Sequence, residues 1–284
     1  MHTVNEWLTQ SIQRLSQPIA QPHDLRPNDL RTLLCHQLQC TTAWLFAHPD
    51  HPLSSADLQQ LNAWRDQLLD GMPLAYLIGK QMFWDLDLAV NAATLIPRAD
   101  TETVVETSIE LLKDSAPEHI LDLGTGSGAL ALALARVFPA AQVTATDRSS
   151  AALKTAQFNA QQNDIQNCQF ILADWFSQVP ERGFDLIVSN PPYIAANDPH
   201  LTALTHEPIE ALVAAEDGLA DFKTICEQAP AYLNAGAWLV FEHGWQQKTE
   251  VQALLRQAGL TDINSRADLA GHDRVSYGRQ PSSG

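Results

Sequence analysis

Apolar positions in the first part of the chain recur with a helical period. Val4, Trp7, Leu8, Ile12 and Leu15, with Ser11 among them, fall on one face and polar residues on the other. Pro27-Asn28-Asp29 opens a second such pattern through Leu30, Leu33, Leu34 and Leu38. Ser54 followed by Asp57 has the form of a capping box ahead of Leu58, Leu61, Trp64 and Leu68. These segments predict a small helical bundle, with Trp7, Trp44 and Trp64 expected in its core. The period then changes to two: Trp84, Leu86, Leu88 and Val90 alternate with Asp85, Asp87 and Ala89, which predicts a half-exposed strand in a linking hairpin. Beyond it, helices and strands alternate: helix Thr101–Leu112, strand Ile120–Leu123, helix Ala129–Phe138, strand Val143–Asp147 and helix Ser149–Asn163. Strands at Phe170–Ala173, Leu186–Ser189 and Trp238–Glu242, a helix at Thr249–Ala258 and two weaker strands complete the series. Such alternation predicts an α/β fold, a mostly parallel sheet covered on both faces. The division expected is a helical domain 1–72, a linker and hairpin 73–98, and an α/β domain 99–284. Ligands of such sheets bind beyond the carboxyl ends of the strands, so chemistry is expected there.

Composition narrows the function. The chain has 284 residues, 45% of them hydrophobic and 18% charged, which is globular and long enough for two domains. A net charge of −16, with no basic run, disfavours a protein that grips DNA or RNA, because such grip rests on clustered Lys and Arg. The four cysteines, Cys35, Cys40, Cys168 and Cys226, lack metal-binding spacing and are expected as buried thiols of a reducing compartment. The scattered histidines likewise suggest no metal site. The uncharged run Leu123–Ala135 is too short to span a membrane and holds three glycines, and the first fifteen residues do not resemble a signal peptide. A soluble intracellular protein is expected.

Ile120-Leu121-Asp122-Leu123 runs directly into Gly124-Thr125-Gly126-Ser127-Gly128, a buried strand entering a glycine-rich turn ahead of a helix. Its spacing is GxGxG, distinct from the dinucleotide fingerprint GxGxxG. Asp147 ends the next strand, 25 residues after Asp122, where a carboxylate can accept from both hydroxyls of an unphosphorylated ribose. Together they point to a nucleoside-containing cofactor. After the third strand, Asp174 and Trp175 are placed either to meet an adenine or to cap and pack the core.

The fourth strand ends in Asn190-Pro191-Pro192-Tyr193. Two prolines stiffen the loop and remove N–H donors, leaving acceptors. The Asn190 side-chain oxygen and the Pro191 carbonyl suit the two N–H bonds of one planar NH2 group, and Tyr193 offers a flat face for a planar amide or base. Amide and aryl-amine nitrogens are poor nucleophiles because the lone pair is delocalised. Fixing both N–H bonds toward acceptors aims the remaining lobe at an electrophile and stabilises positive charge developing on nitrogen. Glu242-His243-Gly244 ends the fifth strand at the expected pocket edge and is read as a strand terminus held by hydrogen bonds.

These features resemble the class I S-adenosylmethionine-dependent methyltransferases that modify planar nitrogens, and more narrowly the release-factor glutamine N5-methyltransferase family. Gly71–Gly79 followed by Phe83-Trp84 is similar to that family's inter-domain GxPxxYxxG segment, and Leu95–Glu102 to its IPRPxTE segment. Asp122–Gly128 and Ser189–Ile194 match its cofactor and NPPY loops, so the resemblance spans nearly the whole chain. Ala99 stands where the family has a second proline. His206 stands where an aromatic is common, in a slightly shortened stretch between Pro199 and Glu207-Pro208. The resemblance implies a Rossmann-like, seven-stranded, mostly parallel sheet. It implies that Gly124, Thr125, Gly126, Ser127, Gly128, Asp147, Trp175 and Asn190 bind S-adenosyl-L-methionine, with S-adenosyl-L-homocysteine as product. Asn190 would be the catalytic residue, and Asn190, Pro191, Pro192 and Tyr193 would hold the glutamine of the Gly-Gly-Gln motif of class I peptide chain release factors. A cytoplasmic monomer without direct nucleic-acid or membrane contact is expected. Two rival substrates share the NPPY chemistry: a glutamine of a ribosomal protein, which the Gly71–Gly79 and Leu95–Glu102 segments disfavour, and an adenine N6 of nucleic acid, which the charge disfavours.

Overall fold

The structure is a computed structural model and describes residues 2–15, 25–179 and 183–282. The chain divides into two units, 1–79 with 200–206, and 80–199 with 207–284.

The first unit is helical: α1 Val4–Leu15, α2 Pro27–Leu38, α3 Thr42–Ala47, α4 Ser55–Leu69 and α5 Leu74–Ile78. Pro27 opens α2, where its missing N–H costs nothing, and the Ser54–Asp57 capping box opens α4 with both reciprocal bonds at 3.1 Å. Trp7, Leu30, Leu33, Leu34, Leu61 and Leu68 form the buried core. Trp7 keeps its indole N–H satisfied by donating to Asn62 Oδ1 at 3.0 Å. Trp44 and Trp64, expected inside, pack half-buried at the edge of this core instead. Helix α3 is too short to show a period, and α5 falls where the sequence predicts a linker.

The second unit begins with the hairpin β1 Lys80–Phe83 and β2 Leu86–Ala89. Trp84 is not a strand residue as the alternation suggests: it sits in the turn at φ 57°, its N–H donating to Glu102 Oε1 at 2.8 Å. A 3₁₀ turn at Ala99–Thr101 leads into α6 Glu102–Leu111. Then follow β3 His119–Leu123, α7 Ala129–Val137, β4 Gln142–Asp147, α8 Ser150–Gln162, β5 Cys168–Leu172, β6 Phe184–Ser189, α9 Ala215–Gly218, α10 Ala220–Gln228, β7 Leu233–Glu242, α11 Lys248–Gln257, β8 Thr261–Ala267 and β9 Asp273–Arg279. Most boundaries lie within two residues of the pattern-based ones; β7 starts five residues early, where Leu233 pairs with Phe184 before a bulge.

The seven strands form one sheet in the order β5-β4-β3-β6-β7-β9-β8, parallel except for the last two pairings. The class I methyltransferase fold is thus present. Residues Ile120–Leu123 and Leu186–Ser189 are buried, as expected of central parallel strands covered on both faces. One face packs on α6, α7 and α8 through Val104, Leu130, Leu134 and Ala160. The other packs on α10 and α11 through Phe222, Ile225, Val251 and Leu255. Strand β8 is half exposed and polar, which explains its weak sequence signal. Cys226 is buried as expected, whereas Cys35, Cys40 and Cys168 are only partly so, and all four are free thiols.

A buried amide ties the hairpin to the glycine-rich turn. Asn159 on α8 is fully buried; its Oδ1 accepts from Ala89 N–H at 2.7 Å, and its Nδ2 donates to the carbonyls of Ala89 and Ser127 at 3.0 and 2.8 Å. Asn159→Ala strands these backbone groups, and stability measured by urea denaturation is expected to fall by about 2–4 kcal/mol.

Candidate active site

Strand register builds the site. Leu123 of β3 lies beside Thr146 of β4 on one side and Ser189 of β6 on the other, and Ser189 lies beside Phe241 of β7. The residues that follow, Gly124, Asp147, Asn190 and Glu242, therefore leave the sheet side by side at its carboxyl edge. The chain reverses direction across the sheet between β3 and β6, which opens a crevice there.

The glycine-rich turn is held by its neighbours. The N–H groups of Gly124 and Thr125 donate to the Thr146 carbonyl at 2.9 and 2.8 Å, and that of Gly126 donates to Asp147 Oδ2 at 2.9 Å. Gly128 takes φ 88° to start α7, and a Cβ there would press on Leu132 and Ala156 at 3.1–3.3 Å. Asp147 Oδ1 also accepts the Ser149 N–H at 2.8 Å, so the carboxylate fixes two backbone turns and keeps further lone pairs toward the cavity. The Trp175 ring lies over Gly124, 3.5 Å from where a Cβ would stand.

Together these elements enclose a cavity of about 330 Å³. It is lined by Gly124, Thr125, Gly126, Ser127, Asp147, Trp175, Asn190 and Pro192 of the expected site residues. Gly128 stands behind the turn as the N-cap of α7, and Pro191 and Tyr193 lie outside the lining. Sequence reasoning missed Thr101, Arg148, Glu210 and Asp221, which also line it. Arg148 Nη2 donates to the Glu210 carbonyl at 2.9 Å. Arg98 binds the buried Glu207 carboxylate, whose other oxygen accepts the Ile96 N–H at 3.0 Å. These contacts draw residues 94–98 and 207–211 together as one wall of the cavity.

The cavity is acidic. Asp122, Asp147, Asp174, Glu210 and Asp221 line it against one cation, Arg148. Burial pushes Asp122 up to about 7, with the neighbouring Thr125 hydroxyl and Ala131 N–H pulling it down. Burial also raises Asp221, opposed by Arg148. One Asp122 oxygen and the Thr125 hydroxyl are buried beside each other without a hydrogen bond of ordinary geometry. A nucleoside bearing a positive charge fits this volume and this excess of carboxylates.

In the reaction loop, Asn190 Nδ2 faces Thr101 Oγ1 at 3.5 Å, while no protein donor engages Asn190 Oδ1 or the Pro191 carbonyl among the described residues. The loop is pinned beyond them: the Tyr193 carbonyl accepts from Gln247 Nε2 at 3.0 Å, and Ile194 exchanges backbone bonds with Leu212 and Ala214 at 2.9 and 3.0 Å. The Tyr193 hydroxyl donates to Glu242 Oε1 at 3.2 Å, and burial raises its pKa. His243 is fully buried, its ring nitrogens 2.9 Å from the Gly244 carbonyl and 2.8 Å from the Ser276 hydroxyl, so it serves the strand end as expected. No group of three or more His, Cys, Asp or Glu among the described residues is arranged to hold a metal.

Comparison with known proteins adds independent information. Residues 6–79 match the PrmC N-terminal domain, and residues 101–215 match the methyltransferase small domain. The release factor glutamine methyltransferase of Xylella fastidiosa strain 9a5c is 48% identical over 255 residues, covering 89% of this chain and 93% of its own length. The protein of the same name from Escherichia coli K12 is 41% identical over 275 residues, covering 96% of this chain and 97% of its own. A methyltransferase structure from Pyrococcus furiosus superposes with a TM-score of 0.52 at 19% identity, over 78% of this chain and 99% of that one, a likeness of fold alone.

Proposed function

The chain belongs to the release factor glutamine methyltransferase family, and from that premise we propose that it methylates the side-chain N5 of the glutamine in the Gly-Gly-Gln motif of class I peptide chain release factors. It is a protein-glutamine methyltransferase, and the donor in this reading is S-adenosyl-L-methionine. The observation that carries the reading is the Asn190 amide, turned with Nδ2 toward Thr101 and with Oδ1 left to accept, at the rim of the acidic cavity.

Gly124–Gly128, Asp147 and Trp175 would hold the donor, with Asp147 at the ribose and Trp175 against the adenine. When bound, the donor supplies an electrophilic methyl group on a sulfonium, and S-adenosyl-L-homocysteine remains. Asn190 Oδ1 and the Pro191 carbonyl accept the two N–H bonds of the glutamine amide. Pro192 stiffens the loop, and Tyr193 shapes the slot for the amide plane. Holding both N–H bonds leaves the nitrogen lobe directed inward and stabilises the charge that builds on nitrogen. The alkylated nitrogen is acidic, so loss of its proton needs no strong base. The acidic cavity favours a cationic donor and disfavours the neutral product.

The helical unit is the proposed docking module for the protein substrate. A net charge of −16 supports a protein acceptor over adenine in nucleic acid. No helix among the described residues is long and apolar enough to cross a membrane; a monomer in the cytoplasm, where translation factors act, completes the reading. A competition assay tests the substrate: labelled donor is offered with purified release factors, ribosomal proteins or oligonucleotides. Label is expected in release factors; robust labelling of a ribosomal protein or of adenine alone overturns the assignment.

A further inference from the structure

Glu242 is far in sequence from the reaction loop, yet two hydroxyls of the site face it. It is 2% exposed at the last position of β7, and its neighbour Phe241 pairs with Ser189, the residue before Asn190. Tyr193 donates to its Oε1 at 3.2 Å. Its Oε2 is buried and makes no hydrogen bond of ordinary geometry, with the Thr101 hydroxyl beside it. Thr101 Oγ1 in turn lies 3.5 Å from Asn190 Nδ2. A chain of polar groups thus runs from Glu242 through Thr101 to Asn190.

We propose that Glu242 is a positioning residue that sets the direction of this chain, so that Asn190 presents its oxygen and not its amine to the substrate amide. The inference rests on the glutamine-methylation reading above. An ionised carboxylate only accepts, so Tyr193 donates to it, and in the proposed chain the Thr101 hydroxyl turns onto the open Oε2 as a second donor. A hydroxyl that has given its proton offers only lone pairs onward, so Asn190 must turn Nδ2 toward Thr101. Its Oδ1 is then left for the N–H of the substrate. A glutamine at position 242, or a protonated carboxyl, can donate as well as accept and no longer enforces that order.

The titration gives a second signature. Besides Tyr193, the charged groups facing Glu242 are Arg274 of β9 and Asp100 of the turn before α6. His243, the residue after the strand, is held by burial below the ordinary histidine pKa. Burial raises Glu242 above the usual carboxylate range, with Thr101, Tyr193 and Arg274 acting in the opposite direction. Protonation on lowering the pH reverses the chain, so kcat falls through an acid limb above the ordinary glutamate value. Glu242→Gln has no such limb.

The test compares wild type, Glu242→Gln, Thr101→Val and the double variant on a purified release factor, reading kcat, KM, donor affinity and the pH profile. Glu242→Gln is expected to lower kcat about tenfold or more, leave donor affinity within about twofold and lose the acid limb. Thr101→Val breaks the same chain, so the double variant is expected to be no worse than the poorer single one. Wild-type kcat with an unchanged acid limb in Glu242→Gln overturns the proposal. Should that variant not fold, wild-type kcat in Thr101→Val overturns it equally. If wild type methylates a different amide or amine, the substrate assignment falls, and the variants are read on that acceptor instead.

Discussion

Asn190→Ala is expected to reduce kcat by about 100- to 1,000-fold while changing donor affinity by less than about fivefold. The side chain carries the Oδ1 acceptor at the cavity, and among the described residues no other side-chain amide lines it. Without that acceptor one N–H bond of the bound glutamine has no partner, the nitrogen lobe loses its aim, and charge developing on nitrogen loses its stabiliser. The donor pocket is built mostly by other loops: Gly126 on Asp147, Trp175 over Gly124, and Arg148 on Glu210. The loss therefore falls on kcat and little on binding. Single-turnover kinetics with saturating donor, beside titration calorimetry of S-adenosyl-L-homocysteine, separates the two. Near-normal turnover in this variant contradicts the amide-holding role.

Gly218→Ala is expected to lower kcat about 100-fold or more and stability by about 2 kcal/mol or more. Gly218 takes φ 87°, following Glu216 and Asp217 at φ 53°, a run of three left-handed residues. A Cβ on it would stand 2.1 Å from the Tyr193 carbonyl oxygen and 2.8 Å from Gln247 Nε2, the two atoms that pin the reaction loop. Something must move, and the loop bearing the acceptors is what the methyl group meets. Gly271→Ala is the control: φ is 85°, but a Cβ has open space, so backbone strain lowers stability without a comparable loss of kcat. Thermal unfolding and steady-state kinetics on both variants check this, and equal losses of kcat would contradict the loop-displacement argument.

What could be read from the sequence follows from which signals are local. The NPPY loop and the glycine-rich turn are legible because proline and glycine dictate backbone chemistry within a few residues. Their adjacency was a matter of topology, which the alternation of helices and strands already implied and the register of Leu123 with Ser189 realises. Arg148 and Asp221 were silent because nothing in their neighbours marks them, and Thr101 and Glu242 lay in noted segments without a role of their own; the fold brings them in from the end of β4, α10, the turn before α6 and the end of β7. Glu242 was read only as part of a strand terminus, which describes His243 but not the carboxylate facing Tyr193.

Errors in the elements have similar causes. Trp84 prolonged an alternating pattern, and alternation alone cannot show where a strand turns back. The partner strand Lys80–Phe83 exposes Lys80 and Met82 and carries almost no apolar signal. Trp44 and Trp64 are aromatic, and so look like core, but their rings share space with His48 and His36 at the edge of the helical unit. Strand β8 is polar because it closes the sheet with one face in water.

The most direct measurement is fragmentation mass spectrometry of a purified release factor after reaction with the wild-type protein and S-adenosyl-L-methionine. A single methyl group on the side-chain nitrogen of the Gly-Gly-Gln glutamine is the expected result, reduced to background in Asn190→Ala. An unmodified glutamine alongside robust methylation of another residue, or of another macromolecule, would contradict it.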